Sequence, residues 1–409
     1  MKPDQQETAE TGRRESVFGL FLIFLRLGLT SFGGPIAHLG YFRAEFVSKR
    51  RFLSERSYAD LVALCQFLPG PASSQVGIAI GLLRHGYPGA LASWAGFTLP
   101  SAIALICFAL GLSHFGTAIP PEALHGLKVV AVAVVAQAVW GMARNLCADA
   151  ARVSIMTAAA CAALLLPGTF GQLAVIAAAG LTGLLAFKPA ATLADETLPL
   201  RTSRRTGILL LLLFAGLILC LPLLAAAFPH GAIADINAFF RVGSLVFGGG
   251  HVVLPLLQSE VVPTGLVDND TFLAGYGAAQ AVPGPLFTFA AFLGASMHTA
   301  PSGWSGGLIC LLAIFAPSFL LVGGAIPFWD SLRRNARMQA ALAGVNAGVV
   351  GLLLAALYQP VWTSAIRQPM DFAMAIVALV ALMFWKLPPW MVVLLLGAAG
   401  GVAGVIGKG

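Results

Sequence analysis

This sequence is short of charge. Lysine, arginine, aspartate and glutamate together make up 10% of its 409 residues, against roughly 25% in a soluble domain. A water-facing surface of that size cannot be built from so few, which excludes a soluble globular protein. Cysteine is sparse as well: Cys65, Cys107, Cys147, Cys161, Cys220 and Cys310 lie mostly in apolar runs and form no C-x-x-C pair. They read as small buried hydrophobes, without disulfide, metal or redox chemistry. Also missing are a Walker A loop, a G-x-G-x-x-G after a strand, a paired metal-ligand helix and a G-x-S-x-G. The expectation is therefore no enzyme, no cofactor and no metal. Without a nucleotide site, coupled transport would draw on an ion or proton gradient, or be passive.

What fills the space is hydrocarbon. Hydrophobic residues make up 58% of the chain, and the mean hydropathy is +0.87. Runs such as Val129–Val139, Ile208–Cys220 and Met391–Val405 approach the roughly 20 residues that cross a bilayer. They are continuous, not alternating with a two-residue period, which excludes a transmembrane β-barrel. The fold class expected is an all-α polytopic membrane protein, with the lipid bilayer as its surroundings. The net charge of +7 sits mostly in Arg43–Arg56, Arg201–Arg205 and Arg333–Arg337, as positive-inside loops do. No basic domain stands apart, so no nucleic-acid partner is expected. The run starting at Val17 loosely resembles a leader but carries a motif with a twin mid-chain, so it reads as retained structure.

That motif is duplicated. Arg26-Leu-Gly-Leu-Thr-Ser-Phe-Gly-Gly34, Glu45-Phe-Val47 and Gln66-Phe-Leu-Pro-Gly-Pro71 recur as Arg241-Val-Gly-Ser-Leu-Val-Phe-Gly-Gly249, Glu260-Val-Val262 and Gln280-Ala-Val-Pro-Gly-Pro285. Leu99-Pro100-Ser101 matches Ala316-Pro317-Ser318, and Leu127 with Val134-Val135 matches Leu342 with Val349-Val350. Such Gly/Pro-interrupted repeats point to the binding site of a secondary transporter. The chain divides into a cytoplasmic N-terminal tail (1–16), a first repeat (17–187), a linker with one connecting transmembrane helix (188–236) and a second repeat (237–409). Its most polar interior stretch is Lys188–Thr206. Apolar segments fall near 17–38, 58–83, 89–113, 125–143, 153–166, 171–187 and 208–228, then 237–258, 270–298, 305–328, 339–359, 371–386 and 389–406. An odd number of spans separates the repeats whether or not the motif segments are re-entrant, so the halves should be inverted. Loop charges put 43–56, 144–152, 188–206 and 331–338 inside, and the acidic 259–270 loop outside. Nine full spans with four broken or re-entrant segments satisfy these signs best. Thirteen plain spans is the alternative.

The motifs carry their own chemistry. Pro-Gly-Pro breaks a helix, and broken backbone at membrane depth survives only beside protein or a watery cavity. The helix restarting beyond it points free N–H groups and a positive dipole end inward. The first restart carries Ser73, Ser74 and Gln75; the second carries Thr288 and is poorer in donors. Gly33, Gly34, Gly248, Gly249, Gly70 and Gly284 allow close approach, and Gln66 and Gln280 add side-chain polarity. Arg26 and Arg241 lie two turns before their glycine pairs. Each either faces an oxyanion through its planar fork or pairs internally with Glu45 or Glu260. Those glutamates either carry protons or neutralise the arginines, the latter reading favoured for Glu45 beside its basic loop. His38 and His251 lie near the motifs without aligning and read more readily as packed residues than as a relay. Lys128 either faces a cavity or snorkels; Asn346 sits in the corresponding helix at a non-equivalent position. A Pro-Gly-Pro that merely kinks a packed helix is the bland alternative.

As a set, Phe32–Pro35 with His38, Phe67–Pro71 with Gln75, Phe247–His251 and Ala281–Pro285 resemble the chromate ion transporter family in its long, two-domain form. The resemblance covers nearly the whole chain. It implies chromate efflux across a bacterial inner membrane, and chromate resistance, with sulfate as a competing dianion; an antiporter is the expected form. Sulfate uptake, another anion, a membrane-embedded enzyme and a non-transporting scaffold are the alternatives. The sequence does not decide whether the protein is a homodimer.

Overall fold

The computed structural model describes residues 15–115, 121–166, 168–187 and 203–406. Residues 1–14 of the expected tail and 188–202 of the expected linker lie outside the described residues. The first half forms α1 (Val17–Thr30), α2 (Gly34–Arg43), α3 (Glu55–Phe67), α4 (Ala72–Phe115), α5 (Pro121–Leu146), α6 (Ala150–Leu165) and α7 (Thr169–Ala186). A connecting helix, α8 (Arg204–Ala227), follows. The second half forms α9 (Ala232–Leu245), α10 (Val253–Val261), α11 (Asn269–Ala279), α12 (Phe289–Ala295), α13 (Gly303–Ala325), α14 (Trp329–Arg333), α15 (Ala336–Ala356), α16 (Thr363–Ala365), α17 (Pro369–Met383) and α18 (Pro389–Ile406). No strand occurs among the described residues, so the all-α membrane class holds. Six helical stretches there are long and apolar enough to cross a membrane: Ala72–Phe115, Glu122–Leu146, Thr169–Ala186, Arg204–Ala227, Gly303–Arg333 and Ala336–Ala365.

The order of elements repeats. α1 answers to α9, α2 to α10, α3 to α11, α5 to α15, α6 to α17 and α7 to α18. α4 answers to α12 and α13 together. It runs through with a sharp bend at His85 and Gly86, the latter at φ +65°, where the second half opens into a loop between α12 and α13. The equivalent starts of α3 and α11 are capped alike: Ser54 accepts from the Ser57 amide at 3.0 Å and Asp268 from the Thr271 amide at 2.8 Å. Each cap satisfies one amide that a helix start leaves free.

Inside a bilayer, helices are not driven together by exclusion of water, so close backbone approach carries much of the cohesion. Both halves use one crossing for this. A methyl group on Gly28 of α1 would sit 2.7 Å from the Phe97 carbonyl oxygen of α4. One on Gly243 of α9 would sit 2.1 Å from the Ile314 carbonyl oxygen of α13. Around the first crossing Phe24 stacks on Phe46 with centroids 5.0 Å apart, and Phe42 meets Phe97 edge-on at 5.0 Å. By contrast α8 buries almost nothing and exposes Leu209, Leu212, Leu213, Leu219 and Leu223. That is a lipid-facing surface.

Candidate functional site

The four motif segments break where the glycines and prolines require it. α1 stops at Thr30 and α2 restarts after Gly33, whose φ is +99°. α9 stops at Leu245, and a 3-10 turn at Gly250–Val252 leads into α10 after Gly248 at φ +75°. Pro69-Gly70-Pro71 separates α3 from α4; Pro283-Gly284-Pro285 separates α11 from a 3-10 turn at Leu286–Thr288 that leads into α12. The four segments expected to be broken are broken; of the nine expected full spans, six match helices long and apolar enough to cross a membrane, while Ala150–Leu165, Pro369–Met383 and Pro389–Gly400 are shorter among the described residues.

The breaks hold one another across the halves. The Gly70 amide donates to the Val246 carbonyl at 2.7 Å, and the Gly284 amide donates to the Ser31 carbonyl at 3.0 Å. Val246 and Ser31 occupy equivalent positions, as do Gly70 and Gly284, so the two bonds are one bond made twice, in opposite directions between the halves. The packing around them is reciprocal too. A Cβ on Gly70 would lie 2.9 Å from Ser318 Oγ, and a Cβ on Gly284 would lie 2.8 Å from Ser101 Oγ, its counterpart. With φ at +126° and +100°, neither position suits an L side chain. The kink-only reading does not account for this reciprocity.

Beside these latches lies a cavity of about 880 Å³. Gly33, Gly34, Gly248, Gly249, Gly70, Gly284, Gln66, Gln280 and His251 line it, all read from sequence as site candidates. Each of the four restarted helical segments presents its first residues to the space, at Gly34, Ala72, Gly250 and Leu286. A helix start carries a positive dipole end and first-turn amides without intrahelical partners, which favour an anion. No aspartate or glutamate occurs among the described lining residues.

Other candidates lie elsewhere. Ser73, Ser74, Gln75 and Thr288 are buried behind the lining. Gln75 Nε2 donates to the Pro69 carbonyl at 2.6 Å, and Thr288 Oγ1 donates to the Pro285 carbonyl at 2.7 Å, so both brace their own Pro-Gly-Pro break. Ser74 Oγ and Gln75 Oε1 are buried without a hydrogen-bond partner. His38 is buried beside Ser73 Oγ at 3.4 Å and the Ser31 carbonyl at 3.2 Å. His251 differs: it reaches the cavity, with Nδ1 2.9 Å from the Tyr276 hydroxyl.

The arginines take the internally paired arrangement. Arg26 donates to Glu45 at 2.6 Å and Arg241 to Glu260 at 2.5 Å, each across 19 residues. Neither arginine lines the cavity. Glu45 also accepts from Arg50 at 2.7 Å, and Glu260 from the Thr169 hydroxyl at 2.9 Å. Lys128 pairs with Asp270 at 2.7 Å and also lies outside the cavity lining.

Sequence reading missed five polar lining residues: Ser31 after α1, Tyr41 on α2, Gln137 and Asn145 on α5, and Lys386 between α17 and α18. Gln137 and Asn145 had a signal, since Gln137, Gly141 and Asn145 recur every four residues along one helical stripe. Asn346, noted only for its position in the corresponding helix, joins them with its buried Oδ1 lacking a partner.

The family comparison meets this geometry at its own boundaries. The profile described as "Chromate transporter" matches residues 18–184 and again 234–403. The chain belongs to the chromate transporter family. The two matches are the two halves, and the gap between them holds α8. A chromate transport protein of Pseudomonas aeruginosa is 30% identical over 406 residues, covering 94% of this chain and 91% of that one. A chromate transport protein of Cupriavidus metallidurans is 25% identical, covering 91% and 90%. An uncharacterized transporter of Methanocaldococcus jannaschii is 26% identical, covering 87% of each. No solved structure matches the chain.

Proposed function

We propose that this membrane transporter exports chromate, a tetrahedral oxyanion, from the cytoplasm through the bacterial inner membrane by alternating access of two inverted halves. The observation that carries the reading is the cavity itself. It lies where two reciprocally latched breaks meet, receives four helix starts, and holds no carboxylate among its described lining residues. An anion there is met by oriented amides and by the side chains of Gln66, Gln280, Gln137, Asn145 and Asn346. Ser73, Ser74, Gln75 and Thr288 stand one layer back and keep the restarted helices in place. The Arg26–Glu45 and Arg241–Glu260 pairs act as structural clamps at equivalent points of the two halves. The relatives named as chromate transport proteins, matched over nearly their whole length, supply the choice of cargo.

The ends of α13 support inversion. Beyond its C-terminal end Arg333 lies 3.2 Å from Asp60, while ahead of its start His298 lies 3.9 Å from Asp268. With 23 residues, α13 is roughly 35 Å long. The loop after Glu45 and its equivalent after Glu260 therefore sit towards opposite ends of one membrane-length helix.

The test is flux of chromate in proteoliposomes of purified protein, with sulfate as competitor and with and without a pH gradient. The reading predicts saturable chromate flux, slowed by sulfate and accelerated by the gradient. Sulfate flux without chromate flux would move the cargo to the alternative dianion. No flux of either from folded protein would remove the oxyanion reading.

A further inference from the structure

The cavity has a shortage as well. Helix starts and amides offer partial charges, yet a dianion leaving water also needs a full positive charge close by. The arginines that looked suited to this are committed to glutamates and lie outside the lining. Among the described lining residues Lys386 is the single lysine or arginine.

Its backbone is unusual. The amides of Trp385 and Leu387 fold back onto the carbonyls of Val380 at 3.1 Å and Ala381 at 2.9 Å, which closes α17. Lys386 sits between them at φ +55°, in the left-handed conformation that glycine or asparagine ordinarily fills after a helix. A cation at a helix C-terminus suits the helix dipole, yet glycine would fill this left-handed position without strain, and strain of this kind gathers where a side chain is needed. The connection is also anchored. Leu387, Pro388 and Pro389 line the same cavity, and the Trp390 ring at the start of α18 lies 6.3 Å from that of Phe32, next to Gly33 and Gly34. Lys386 is itself exposed, at the open edge of the cavity.

We infer that Lys386 is the charge partner of the transported oxyanion, meeting it at the exposed edge of the cavity and accompanying it to the helix starts. This rests on the oxyanion reading and adds the specific cation that the paired arginines leave missing. A lysine is a compact point charge on a flexible stem, suited to catching and releasing an anion rather than holding it. Its repeat-equivalent region, at Leu166-Pro167-Gly168, carries no cation, so the device belongs to the second half alone.

The experiment compares initial rates of chromate flux for wild type, Lys386→Arg, Lys386→Met and Lys386→Gly, together with thermal unfolding of each purified protein. Removing the charge should raise KM for chromate about tenfold or more, while Lys386→Arg stays within about threefold of wild type. Lys386→Gly should unfold no earlier than wild type, because glycine relieves the left-handed strain, and yet bind chromate as poorly as Lys386→Met. A lysine that only snorkels to lipid headgroups, or only closes α17, cannot produce that split. A KM for Lys386→Met within twofold of wild type, in protein that carries chromate, overturns the inference. So does an equal rise in Lys386→Arg, which would assign the position to shape and not to charge. Absence of both chromate and sulfate flux in folded wild type overturns the oxyanion reading, and this inference with it.

Discussion

The two halves of this chromate-transporter family protein share a skeleton and differ in what they hang on it. Gly70 and Gly284 make the same bond to the other half, and Arg26–Glu45 and Arg241–Glu260 make the same ion pair. Behind the first half's breaks stand His38, Ser73 and Gln75; the equivalent positions in the second half are Val253, Phe287 and Phe289. The first set is a buried hydrogen-bonding layer and the second is buried hydrocarbon. Backbone devices have been kept in both copies because a broken helix in a membrane must be satisfied locally. The layer behind them is free to diverge once each break is latched from the opposite side. The cavity is therefore symmetric in its frame and asymmetric in its lining and support, with Lys386 contributed by the second half alone.

Breaking the symmetric part should cost most. Gly70→Ala forces an L residue to φ +126° with its Cβ 2.5 Å from Gln75 Nε2, and Gly284→Ala does the same at φ +100° against Ser101 Oγ at 2.8 Å. Backbone strain alone is of order 1–3 kcal/mol at such a site. Each substitution should lower the yield of monodisperse protein in size-exclusion chromatography severely, and by similar amounts. If one is tolerated and the other is not, the latches are not equivalent.

The asymmetric part should yield a smaller effect. His38→Val writes the second half's residue into the first and removes the contacts to Ser73 and the Ser31 carbonyl. A hydrogen bond contributes on the order of 1 kcal/mol net, so stability should fall modestly, measured by thermal unfolding, with the fold retained. Loss of the folded protein would show that the polar layer, and not the latch, holds the first half together.

The sequence revealed the skeleton because glycine and proline act on their own backbone. Gly33, Gly70, Gly248 and Gly284 mark breaks wherever tertiary structure places them, and their repetition gave the two halves and the expected broken segments. The arginines were legible only as a choice. Their spacing to Glu45 and Glu260 is the same in both copies, which fits a conserved clamp as well as it fits a paired anion site, and only packing separates the two. Lys386 was not legible at all. Nothing local sets it apart from a loop lysine ending a span; its place in the cavity lining accompanies the folding of α18 back onto Phe32.

The central claim is that the anion sits in the cavity and that the arginine–glutamate clamps lie outside it. The most direct measurement is the dissociation constant of chromate for purified protein carrying either Gln66→Leu with Gln280→Leu, or Arg26→Gln with Glu45→Gln. The double Arg26–Glu45 change is needed because removing the arginine alone leaves a buried carboxylate without one of its partners. The account predicts binding weakened about tenfold or more in the glutamine pair, and near-wild-type binding in the neutralised clamp. Chromate bound normally by the glutamine variant and lost from the clamp variant would contradict it.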